Sequence, residues 1–333
     1  MKKFSYIYLL LFLFISCSGT AQKSNNPDIN MEVSIIRFDN DIYEYLQSPD
    51  KEKEDILKQK YQVLLPAFAQ IAVNSEADIN DSKLFSDIQK YFSHPMLQKI
   101  YNDELKTFKD VTIYEQELTK AKEIGIENLP QYVMPKFAIH VSGFKENTII
   151  VDNTISISGD KYLGYNNNNY SGFFEPYQRQ QMEPKFITRD LLRAWLMTDI
   201  LHVNNDKQED LLSAMATEGK ILYVLSVLLP EYDRNDLIGY RAEQSAWCKE
   251  NEKMIWQKMI KQDNLFTKDH MIITRYINDA PYTSTISKES PGRIGSWIGW
   301  QMVDQYVKKN GISLSELIKT EPTTILKDSK YNP

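Results

Sequence analysis

The chain has 333 residues, with 39 Lys and Arg against 45 Asp and Glu and a formal net charge of −6. A modestly acidic chain with no dense basic stripe lacks the electrostatic footprint of a nucleic-acid binder, so no nucleic-acid partner is expected. The only cysteines are Cys17 and Cys248, one of them inside the N-terminal apolar segment, so no intrachain disulfide is expected and stability must come from packing.

Lys2 and Lys3 form a short basic region, and Phe4 to Ile15 is an almost unbroken apolar run leading into Ser16-Cys17. A membrane-spanning helix needs about 20 apolar residues. This run is shorter and reads as a signal peptide over residues 1–17. A small residue directly before a cysteine at the end of such a run resembles the lipobox of bacterial lipoproteins. That resemblance implies diacylglycerol on Cys17 and a mature chain held at a membrane by its lipid. Residues 18–30 are polar and read as a flexible tether. About 300 residues then remain, enough for one substantial core, and residues 31–333 are expected to form a single α-rich domain.

Residues 31–130 read as a helical half. Apolar residues return every three or four positions over Tyr43 to Phe68, Asp81 to Phe92 and Pro95 to Lys122. Residues 131–333 read as a small sheet followed by helices. Phe137, Ile139 and Val141 alternate, Ile149 to Val151 is β-rich, and Thr154 to Ser158 alternates again, which predicts two or three short strands. Gly143 to Asn147 is the expected hairpin turn, and Asn166 to Asn169 a loop. Helices are predicted over Thr188 to Leu201, Glu209 to Leu229, Arg241 to Ile260 and Ile294 to Lys308. A short last helix follows Ser313, with Ser313 and Glu316 as its capping box and Gly311 punctuating the helix before it. Cys248, beside Trp247 in a helical pattern, is expected to be a buried structural thiol.

Several segments carry a resemblance in their order and spacing. They are Arg37-Phe38-Asp39, Tyr162-Leu163-Gly164, Pro176 to Trp195, Glu218 to Tyr223, Gln244-x-x-Trp247-Cys248-x-x-Asn251-Glu252-x-x-Ile255-Trp256, Ala280-Pro281-Tyr282, Pro291 to Gly299 and Ser329-Lys330-Tyr331-x-Pro333. Together they resemble the gliding-motility lipoprotein B family of the Bacteroidetes over nearly the whole mature chain. The resemblance implies an envelope lipoprotein that supports gliding and the associated type IX secretion machinery. It supplies no biochemical activity. In this group acidic residues just after the lipidated cysteine direct surface export, and Ser18 to Lys23 contains none, which implies a periplasmic face.

A more distant resemblance bears on chemistry. A short sheet, a helix, an Ala216-x-Glu218-Gly219 element on an apolar helix and Gly295-x-x-x-Gly299-x-x-Met302-Val303-x-x-Tyr306 are similar in order to a family of predicted zinc peptidases. The implied fold is α+β, mainly α-helical, a zincin-like helical domain with a small β-sheet. Such enzymes need two histidines one helical turn apart on a His-Glu-x-x-His helix. The corresponding helix here, Thr188 to Asp199, has none, and His94, His140, His202 and His270 are far apart in sequence. Asp199, His202 and Asp206 share one helical spacing, but Asn204-Asn205 predicts a solvated helix end there. The expectation is therefore no metal, no cofactor and no enzymatic activity, with a degenerate peptidase-like site.

Glu218 stands among Ala214, Met215, Ile221, Leu222 and Leu225, so its carboxylate is expected to point into an apolar face and to need a partner. Arg189, Arg193 or Arg293 could supply a cation; alternatively Glu218 lines a ligand pocket. The candidates for that arginine-bearing pocket are Arg189, Asp190, Arg193, Glu218, Tyr282, Arg293 and Trp297. Tyr162, Tyr165, Tyr170, Phe173, Phe174 and Tyr177 crowd around the asparagine run, and such clusters either stack on sugars or peptides or cover a core. The favoured expectation is an envelope lipoprotein that works through contacts with other envelope proteins. The alternative is a glycan- or peptide-binding lipoprotein.

Overall fold

The computed structural model describes residues 31–203 and 210–333. The expected signal peptide with Cys17, the expected tether over 18–30, and Asn204, Asn205 and Asp206 lie outside the described residues.

The described chain opens with a short strand, β1 (Ile35–Ile36), and six helices follow: α1 (Phe38–Gln47), α2 (Lys51–Lys60), α3 (Leu64–Phe68), α4 (Lys83–Phe92), α5 (Pro95–Thr107) and α6 (Thr112–Asn128). The periodicity expected to run unbroken from Tyr43 to Phe68 is cut at Ser48-Pro49-Asp50. Proline cannot continue a helix, and the Asp50 side chain accepts from the Lys53 N–H at 2.8 Å to start the next one. α3 runs into a π-helical turn over Ala69–Val73 that ends at Asn74 with φ 62°.

The sheet has four strands in the order β1-β2-β4-β3, with β2 (Lys136–His140), β3 (Thr148–Val151) and β4 (Thr154–Ser158). β2 runs parallel to both β1 and β4, and β3 is antiparallel to β4. The expected hairpin turn at Gly143 to Asn147 is therefore a misreading: that segment carries the chain from β2 across to β3, which does not pair with β2. It is pinned by the buried Asp160 carboxylate, which accepts from the N–H groups of Ser142 at 3.1 Å and Phe144 at 2.7 Å. The actual hairpin turns at Asp152-Asn153, with Asp152 at φ 50°.

The C-terminal part is helical, as the mainly α-helical α+β reading anticipates. It comprises α7 (Pro176–Arg179), α8 (Ile187–Trp195), α9 (Leu211–Leu228), α10 (Arg234–Ile238), α11 (Ala242–Lys261), α12 (His270–Ile277), α13 (Ile294–Asn310), α14 (Leu314–Lys319) and α15 (Pro322–Ser329). α8 continues as a π-helical turn over Leu196–Ile200. α14 begins with the expected capping box, the Glu316 N–H donating to Ser313 Oγ at 3.3 Å and the Ser313 N–H to Glu316 Oε2 at 2.8 Å. Gly311, at φ 63°, ends α13.

Each face of the sheet meets its own apolar cluster. Phe137, Ile139, Ile155 and Ile157 point toward the C-terminal helices. Ala138, with Val141 and Ile149, packs against α1, α3, α4 and α5. The period of two along a strand requires this division. On the second face His140 is fully buried, its Nδ1 2.8 Å from Ser156 Oγ, and burial brings its pKa down to about 3, so the ring is neutral. α9 is long and apolar enough by composition to cross a bilayer, yet most of it is buried at the centre of the helical layer.

α9 and α13 cross backbone to backbone. A Cβ on Gly219 would lie 2.3 Å from the Gly299 carbonyl oxygen, and one on Gly299 would lie 1.9 Å from that of Met215. Only glycine permits this approach, and it sets the site described next.

Candidate functional site

Because the helices meet at Gly219 and Gly299, Glu218 lies beside the start of α13. Its Oε1 accepts from Arg193 Nη2 of α8 at 2.5 Å, and its Oε2 from Arg293 Nη2 and Ser296 Oγ at 3.4 and 3.3 Å. Glu218 is buried. Burial pushes its pKa up, but Arg193 and then Arg293 more than offset this, so the carboxyl stays below the usual 4.5. A carboxylate held in this way is a weak base with both oxygens engaged.

Arg293 is the last residue before α13 and sits at φ 58°, an uncommon conformation for a side-chain-bearing residue. Its Nη1 donates to the Ile238 carbonyl at 2.8 Å and its Nε stands 3.7 Å from Asp279. Burial lowers its pKa, and Asp279 and Glu218 raise it by more. Arg193 is partly buried, and its Nη1 has no hydrogen-bond partner among the described residues.

The other candidates lie apart. Arg189 and Asp190 form their own pair, with Nε donating to Oδ1 at 2.7 Å. Arg189 also binds the Asp236 carbonyl and lies over the Phe186 ring, while Asp190 accepts from the Tyr162 hydroxyl at 2.9 Å. Trp297 is buried in the core, and Tyr282 stands exposed at the edge of the loop before α13. That loop is self-braced, with the Thr283 Oγ1 donating to the Pro291 carbonyl at 2.8 Å and the Ser290 Oγ to the Thr283 carbonyl at 3.1 Å. Ser296 and Asp279 were not anticipated. A serine near the start of a helix of mixed polarity and an acid in a loop give no pattern to read.

Space beside the site is small. A recess of about 20 Å³ lies between Arg293, Gln180, Gln181, Tyr240 and Gln244, room for one water. Among the described residues no group of three or more His, Cys, Asp and Glu is placed to hold a metal ion. His202 Nδ1 lies 2.8 Å from the Thr198 carbonyl oxygen, and Asp199 accepts from the Thr198 hydroxyl. Within the aromatic cluster the closest rings pack on one another. Phe144, Tyr170 and Phe174 meet edge to face with centroids 5.3–5.4 Å apart. Tyr170 is fully buried, and Phe173 is the ring most open to solvent. A separate open cleft of about 440 Å³ lies between α11, α13 and the C-terminal Tyr331, lined by Glu252, Asp304, Lys308 and Lys309 among others.

No curated protein and no solved structure matches the chain. The family described as gliding motility protein GldB matches residues 19–333, nearly the whole chain. With helical layer, small sheet and C-terminal motifs all inside that span, the chain belongs to the gliding motility protein GldB family, a family of gliding-motility lipoproteins.

Proposed function

We propose that this lipoprotein supports gliding, and the associated secretion machinery, as a non-catalytic component that works by binding other envelope proteins from a lipid anchor on Cys17, with its domain facing the periplasm. The observation that carries the non-catalytic part is the engagement of Glu218. The carboxylate that the distant resemblance to zinc peptidases would make a ligand is neutralised by Arg193 and Arg293 and hydrogen-bonded by Ser296, beside a recess the size of one water. Such a carboxylate fastens α8, α9 and α13 together. It offers neither a ligand to a metal nor a base to a substrate. The charged cleft between α11 and α13 is open to water, and charge of this kind steers a partner of complementary charge.

Crosslinking in native envelopes followed by pull-down tests the reading. Recovery of motility or secretion components supports it. Recovery of glycans alone, or purified protein carrying one zinc per chain and cleaving peptides, overturns it.

A further inference from the structure

Away from Glu218, a second set of ionisable groups lies fully buried. Glu104 on α5 and Asp39 in the first turn of α1 are both fully buried. Arg37 supplies the cation. Its Nε lies 3.0 Å and its Nη2 2.5 Å from the Asp39 carboxylate, and its Nη1 donates to the Phe108 carbonyl at 2.6 Å. Asp160, in the turn after β4, is also buried, but its oxygens accept from the Ser142 and Phe144 N–H groups and the Ser158 hydroxyl. Glu104 differs from both acids: among the described residues neither of its oxygens meets a donor. Asp39 is the acid that acts most strongly on Glu104, and a carboxylate can only accept unless one of the two acids carries a proton.

We propose that Glu104 and Asp39 are a proton-binding pair, holding one proton between their carboxyls through neutral pH and so latching α5 to the Arg37-Phe38-Asp39 segment at which the fold begins.

Charge counting supports this. Arg37 compensates one carboxylate, and a second one without donors would be an isolated buried charge, which a protein avoids by neutralising the group. Burial pushes the pKa of Glu104 well up, the Asp39 charge and then Asp160 push the same way, and Arg37 opposes them. Burial pushes Asp39 up as well, against its bonds to Arg37. The two acids titrate together. The packing around Glu104 is tight on the Gly159 side: a Cβ on Gly159 would stand 2.3 Å from Glu104 Oε1 and 2.8 Å from Ile139 Cγ2. The latch is double, because the Tyr101 hydroxyl, one turn before Glu104, donates to the Asp39 carbonyl at 2.8 Å. Arg37, Asp39, Tyr101 and Asp160 are the charged or titratable groups that face Glu104 from the surrounding elements. The Arg37-Phe38-Asp39 segment, otherwise without a role, thereby gains one.

The sign follows from linkage. The folded carboxyl keeps its proton above the ordinary 4.5, so the pair's stabilisation is complete below that pH and is lost as pH rises through the folded value. Infrared spectra of the full chain at neutral pH should show the carbonyl band of a protonated carboxylic acid, and Glu104→Gln should lack it. The wild-type melting temperature should fall as the solution is made alkaline, and Glu104→Gln, neutral and of the same shape, should lose that slope. A band that persists in Glu104→Gln, or melting curves that move in parallel with pH, overturns the proposal. If Glu104→Gln does not fold, wild type alone decides: a band that disappears reversibly in alkali supports the pair, and no band overturns it.

Discussion

Gly219 and Gly299 face each other where α9 crosses α13, so closely that a Cβ on Gly219 would reach within 2.3 Å of the Gly299 carbonyl oxygen. The atoms in the way are backbone and cannot swing aside. Gly299→Ala is expected to cost at least about 3 kcal/mol, the upper end of ordinary overpacking. It should also part Glu218 from Arg293. A thermal melt checks this, and a wild-type melting temperature would mean that the helices are further apart than described.

Glu218→Ala leaves Arg193 and Arg293 facing a buried gap, and removing one partner from such a site costs about 3 to 5 kcal/mol. Glu218→Gln preserves the shape and part of the hydrogen bonding, so it should be the milder change. If both variants melt like wild type while gliding is lost, Glu218 serves a ligand and not the fold.

Acid should weaken the same site. Because the folded Glu218 carboxyl lies below 4.5, its contribution is present above that pH and is lost as pH falls through the folded value. Glu218→Gln removes a titrating group, so its melting temperature should depend less on pH on the acid side. Equal slopes for the two proteins would show that the arginines do not hold the carboxylate charged.

Cys17→Ala should give an uncleaved or soluble exported form, because without the thiol no diacylglycerol can be attached. Detergent phase partitioning with mass spectrometry reads the outcome. Undiminished membrane partitioning of the variant would falsify the anchor.

The sequence announced Glu218 because a lone acid among Met215, Ile221, Leu222 and Leu225 breaks a pattern. It also put Arg193 and Arg293 among the possible partners. It could not choose them over Arg189, since that choice depends on where α8 and α13 cross α9. Glu104 went unnoticed for the opposite reason: Asp103 and Lys106 beside it make α5 look like an ordinary wet helix. The breaks at Pro49 and around Asp110 were hidden by apolar spacing that continues across them. The parallel pairing of β2 with β1 and β4 joins segments far apart along the chain, and nothing local encodes it. Local signals at Gly143 to Asn147 therefore misdirected the hairpin assignment.

Ile35 and Ile36 pair with Phe137 and Ala138, roughly a hundred residues further along. During synthesis the first strand emerges with nothing to join. The helices after it also wait, because their cluster includes Ala138, Val141, Ile149 and Tyr170. The first-made half thus completes its core only when the sheet arrives, and a nascent chain stopped before Lys136 should leave the apolar surface that packs on Ala138, Val141 and Ile149 open to proteases and holdase chaperones.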